Sequence, residues 1–139
     1  GDVSTLSGSG AAGSTDGAAN IATFNAPWGI AISPDGDTLY VADSSGRTVR
    51  AVSTSDGDVS TVCGTGAAGS TDGAGSVATF ENPTGLTLTA DGSVLYVTDG
   101  AGNRVRSVVV DSGEVSSQLA NNKQQKCKFY TLRGPADPP

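Results

Sequence analysis

Asp43 and Asp99 each stand seven residues before an Arg, Arg50 and Arg106, and three before a Gly. Carboxylates repeated this way could ring a cation or a polar substrate. Equally, each could accept backbone N–H bonds in its own turn with the Arg paired beside it. Repetition favours the second reading, because a catalytic group is needed once and a structural group in every unit. Asp35 with Asp37, and Asp56 with Asp58, set oxygen ligands two residues apart, as calcium loops do. No further ligands and no closing Glu complete such a loop, so turn formation accounts better for these four Asp, and for Asp16 and Asp72. The expectation is no cofactor and no metal, with calcium at the four Asp as the only candidate.

Covalent chemistry lacks its parts. The chain has no His, and its three Lys all lie after residue 119, so no nucleophile has a base nearby and no catalytic residue is assigned. Cys63 and Cys127 have no metal-ligand spacing, and whether they pair stays open. Gly8-Ser-Gly-Ala-Ala-Gly13 imitates a dinucleotide loop, but no parallel βαβ unit or following helix supplies the helix N-terminus that a phosphate needs.

Those residues must be positioned by something, and composition alone leaves it open. Leu, Ile, Val and Phe number 27 of 139 residues, at the border of disorder, while Gly alone contributes 20. No stretch approaches the run of roughly 18 apolar residues that a spanning helix requires. Residue 1 is Gly and no secretory leader pattern is present, so the chain reads as a processed product or a fragment. Residues 1–119 carry four Arg against thirteen acidic residues, a surface sign that speaks against nucleic acid, while residues 120–139 are a short basic tail or linker. Few Lys and abundant Gly, Ser and Thr point to an extracytoplasmic setting.

Order along the chain decides the fold. Residues 1–56 and 57–112 align with 30 identities, and Gly1-Asp-Val-Ser-Thr-Leu6 returns once more, weakened, at Gly113-Glu-Val-Ser-Ser-Gln118. Each unit breaks into short alternating runs bounded by turn residues, which predicts strands over 28–33, 38–42, 48–53 and 58–62 in the first unit. Four antiparallel strands with one apolar face must bury it against a neighbour, and radial stacking of such sheets is a propeller. The prediction is all-β: two four-stranded blades, one extra strand (residues 2–6, with 114–118 closing the second blade), and an incomplete ring over residues 1–119. The loop before each blade is expected to be ordered, anchored by Ile21 and Val77, with Phe24 and Phe80 plugging the gaps between blades. Tyr40 and Tyr96 are repeat-building positions. Trp28, whose counterpart is Thr84, either packs beside Pro27 or makes a contact on the propeller rim.

The pattern Gly1-Asp-Val-Ser-Thr-Leu-Ser-Gly-Ser-Gly10, Asp16-Gly17, Ala22-Thr-Phe24, Pro27-Trp-Gly-Ile30, Leu39-Tyr-Val-Ala-Asp43 and Val49-Arg50 resembles the long-loop NHL repeat, and the second unit matches equally. The resemblance implies six-bladed propellers, hence a segment of a longer array in preference to a homotrimer of two-bladed chains. It implies a non-catalytic protein-interaction or scaffold module, its partner a protein or further blades. The rival is a six-bladed hydrolase or lyase with a central metal, and the peptide-amidating lyases that resemble this repeat want a His-bound zinc that this chain cannot supply.

Overall fold

The computed structural model describes residues 1–117; the tail at 120–139, with Cys127, lies outside the described residues. The described residues fold without a helix into two sheets. The first contains β1 (Pro27–Ile32), β2 (Thr38–Asp43), β3 (Thr48–Ser53) and β4 (Val59–Cys63); the second contains β5 (Pro83–Leu88), β6 (Val94–Asp99), β7 (Arg104–Val109) and β8 (Val115–Ser116). Both run in sequence order with antiparallel neighbours, so each is a meander of hairpins. The β1–β2 turn shows why: Gly36 takes φ 82, and the Asp35 carboxylate accepts bonds from the Ser33 hydroxyl at 2.5 Å and the Asp37 N–H at 3.0 Å.

Alternation gives each sheet two faces. In the first sheet Tyr40, Val49 and Ala51 point toward the second sheet, where they share one core with Phe80, Leu95, Val97, Val108 and Val115. The opposite face of the first sheet carries Val41, Val52 and Val59 with Ala22, and Phe24 and Leu39 beside them. That second cluster repeats Val97, Val108, Val115, Phe80 and Leu95 one unit earlier; its Val41, Val52 and Val59 are buried, but no second sheet among the described residues packs on it, and Phe24 stays half-buried. The sheets meet along β1 and β5, and a Cβ on Gly29 would collide with the Thr84 carbonyl.

Three expectations need correcting. Residues 2–6 form no strand, and Val3 is 99% exposed, because no third strand of a preceding blade stands beside them among the described residues as β3 stands beside β4. The loop is ordered, but Ile21 and Val77 do not anchor it; they are 59% and 55% exposed while Ala22 and Ala78 are fully buried. Turns at 18–22 and 74–78, where both residues donate to the carbonyl of Ala18 or Ala74, rotate the smaller side chain inward. Phe80 fills the inter-blade gap as expected, whereas Phe24 is only half-buried for want of a preceding blade.

Candidate functional site

Each blade holds one wholly buried Arg. Arg50 lies 3.3 Å from Asp43 and 2.6 Å from Asp16, and donates to the Thr15 and Thr23 carbonyls at 3.0 Å. Arg106 repeats this with Asp72 at 2.6 Å and Asp99 at 3.7 Å, and with the Thr71 and Thr79 carbonyls at 2.9 Å. Each guanidinium also stacks on a Phe of the incoming loop, Phe24 at 5.2 Å and Phe80 at 5.1 Å. A fork-shaped cation thus ties strand three to the loop before its own blade, a task for which an ammonium has too few donors.

The Asp partners sort into two jobs. Asp43 accepts the Asn25 N–H at 2.7 Å, and Asp99 accepts the N–H groups of Glu81 and Asn82. The donors belong to the loop end seventeen or eighteen residues upstream, not to the Asp's own turn as expected, so the carboxylates fasten blade to loop. Burial pushes the Asp43 carboxyl up from its ordinary range, against the lowering by Asn25 and Arg50. Asp16 and Asp72 are more than the turn residues they were expected to be. Asp72 also accepts from the Ser117 N–H and hydroxyl, and Asp16 from those of Thr61, so each clamps the outermost strand as well. For Asp72, burial opposes ionisation, but Ser117 and Arg106 outweigh it and hold the carboxyl low.

The four candidate calcium ligands do not converge. Asp35 and Asp56 are engaged within their own turns, the latter by the Asp58 N–H at 3.2 Å. Among the described residues no group of three metal-ligating side chains comes together. Among the described residues Cys63 bonds to no other cysteine, and burial drives its thiol up to about 12, which disfavours the thiolate at neutral pH. Tyr40 is buried between the sheets, and its repeat Tyr96 is half-buried on the outward face of the second sheet.

The outer face of the first blade is concave and accessible. Leu6, Phe24, Trp28, Ile30, Leu39 and Val41 line an open apolar groove of about 470 Å³. Trp28 is 77% exposed, which removes the reading in which it packs into the core beside Pro27; it sits on this groove. Ile30 and Ile32 are 61% and 56% exposed on the same strand. Adjacent exposed side chains of this size mark a contact surface. Sequence left Trp28 open between the core and a contact surface because alternation does not say which face a neighbour covers.

No protein-family model matches the chain. It is 30% identical over 105 residues, 75% of its length, to NHL repeat-containing protein 2 of Bos taurus, of which it spans 14%. Among solved structures it superposes on a structural genomics protein of unknown function from Bacteroides thetaiotaomicron with TM-score 0.66, 28% identity, 73% of this chain and 26% of that one. An auxiliary nutrient binding protein from the same organism shares the fold, with TM-score 0.62, 24% identity, 70% of this chain and 26% of its own. Among the described residues no helix is long and apolar enough to cross a membrane.

Proposed function

The chain is built of NHL repeats of the β-propeller type, and from that premise we propose that it is a non-catalytic protein-interaction module, working as part of a larger protein or assembly. The observation that carries this is the uncovered face of the first blade, where Phe24, Trp28 and Ile30 stand open although the same face of the second blade is covered. Its buried charged groups support the reading. Arg50, Arg106, Asp43 and Asp99 are spent on holding strands and loops together, which leaves them no geometry for turnover.

The partner is a protein surface, since the groove is open and apolar rather than an enclosed pocket with converging polar groups. The test is co-purification of the native partner with the chain and with its Trp28→Ser/Ile30→Ser variant. Loss of the partner with an unchanged circular dichroism spectrum supports the module. Hydrolase or lyase turnover together with stoichiometric calcium or zinc in the purified native protein would overturn it in favour of the metal-centred enzyme.

A further inference from the structure

Between the two sheets, where the first blade faces the β7–β8 turn of the second, lies a cleft of about 350 Å³. Ala51 and Val62 of the first blade and Val110 of the second give it apolar walls, and Tyr40 and Asp111 give it polar groups. A Cβ on Gly113 would collide with the Val62 carbonyl, so this glycine, at φ 67, lets the β7–β8 turn close against β4 and brings Asp111 to the cleft.

Neither polar group is used in building the blades. Tyr40 is 7% exposed, and its hydroxyl makes no hydrogen bond among the described residues. It is not sealed off as the partnerless Arg50 Nε is, so it opens on the cleft. Burial, then the charges of Asp35 and Asp111, push this hydroxyl up from its ordinary range, so it stays a neutral donor and acceptor near a carboxylate. Asp111 is exposed, and its carboxylate makes neither a hydrogen bond nor an ion pair among the described residues. The first blade shows that the turn does not need it. In the β3–β4 turn the Asp56 carboxylate accepts the Asp58 N–H at 3.2 Å; in the β7–β8 turn the Ser112 hydroxyl does the same for the Glu114 N–H at 3.3 Å, and Asp111 stands where the first blade has Ser55. A group needed by every blade recurs, and this carboxylate does not.

Charge decides what such a cleft takes. The turns at 33–38, 53–58, 89–94 and 109–114 hold two, two, one and two carboxylates and no Lys or Arg, whereas the β2–β3 and β6–β7 connections carry Arg47 and Arg104. Antiparallel order puts the first two of these turns at one end of their sheet and the last two at one end of theirs, and a Cβ on Gly92 of the β5–β6 turn would press on the Pro34 Cδ of the β1–β2 turn at 2.9 Å, so the two ends coincide. An end of one sign steers cations toward it. A carboxylate and a neutral phenol above aliphatic walls match a side chain with a cationic head on an apolar stem. We propose that this cleft takes a Lys or Arg side chain of a protein partner, its stem against Ala51, Val62 and Val110 and its head on the Asp111 carboxylate and the Tyr40 hydroxyl. The proposal rests on the interaction-module reading and states the chemistry of a contact separate from the apolar groove.

The experiment is an amide nuclear magnetic resonance titration of the full chain with alanine pentapeptides, capped at both ends, whose central residue is arginine, lysine, norleucine or glutamate. The expected result is saturable shifts of the Thr38, Tyr40, Ser60 and Asp111 signals with the arginine or lysine peptide and none with the other two. Asp111→Asn and Tyr40→Phe should each weaken that binding about three- to fivefold with an unchanged circular dichroism spectrum. Asp58→Asn removes one charge from the same end outside the cleft and should leave the affinity within about twofold. Absence of shifts at the cleft, equal shifts from the norleucine peptide, or an equal loss in Asp58→Asn overturns the proposal. Methylguanidinium binding as tightly as the arginine peptide overturns it as well, in favour of a small free cation. The titration uses no native partner, so its failure leaves the module reading standing, and only the partner and metal measurements bear on that reading.

Discussion

A guanidinium with no solvent access needs partners for its donors, and the two blades supply the same parts, two carboxylates, two carbonyls and an aromatic face, although Nε finds a partner in Arg106 and none in Arg50. Asp43→Asn or Asp99→Asn keeps the acceptor for the loop N–H groups while removing the countercharge, so each should lower unfolding free energy by about 1–2 kcal/mol in urea titration. In the fraction that remains folded, partner binding should be intact; loss of binding with unchanged melting would contradict the structural role. Acid tests a wider set. Asp35 is held low mainly by the Ser33 hydroxyl, Asp56 mainly by Ser53, Asp91 down to about 2 mainly by Thr89, and Asp72 as described. A lowered carboxyl in the folded state means that the unfolded chain takes up protons first as pH falls. Its stabilisation is present above about pH 4 and disappears between about 4 and 2. Asp43, raised by burial, acts in the opposite sense but alone. The melting temperature should therefore drop as pH goes from 5 to 2.5, most steeply below 4, and Asp91→Asn should flatten the slope; a flat or rising curve would contradict these assignments.

Strands and turns were the legible elements. Period-two alternation with Asp-Gly punctuation placed all four strands of the first blade within one residue of β1 to β4, because hairpin pairing is local. What sequence supplied poorly was detail set by a distant neighbour, Phe80 in the inter-blade gap excepted. The Arg–Asp pairing was legible for Asp43 and Asp99, seven residues away, but Asp16 and Asp72 lie 34 residues from their Arg and read as turn residues. Ile21 was preferred to Ala22 as an anchor on hydrophobicity, and the turn geometry reversed the order. Phe24 and Phe80 share the local motif Ala-Thr-Phe with a Pro three residues on, yet only Phe80 meets a second sheet. Truncation measures that difference: Phe80→Ala should cost about 3–5 kcal/mol, and Phe24→Ala less than half as much in the single chain, by chemical denaturation. Equal costs would mean that the open face is already covered in solution at the concentration used.

Stability in a stack of repeats is the sum of each unit and its contacts with neighbours, so two blades of one sequence pattern need not be equally stable. The second blade has its apolar face covered by the first; on the first, a second sheet covers only the Tyr40 side, and on the other side Ile30 and Ile32 stay open although Val41, Val52 and Val59 are buried. This asymmetry should appear in native-state hydrogen exchange. The β1–β2 and β5–β6 ladders have nearly the same register, Ile30↔Val41 and Ile32↔Leu39 against Leu86↔Val97 and Leu88↔Leu95. Ile30 and Ile32 are open to water, whereas Leu86 and Leu88 pack on the shared core. Water reaching the β1 backbone allows local opening without breaking the inter-blade contact, so β1–β2 amides should exchange faster than β5–β6 amides at low protein concentration. Covering the face removes the difference: the bound native partner should slow exchange in β1–β2 selectively, with Trp28→Ser/Ile30→Ser abolishing the slowing. Equal protection of the two ladders in a chain shown to be single by sedimentation would mean that the open face costs the first blade nothing, and the argument from an uncovered surface to a required partner would fail.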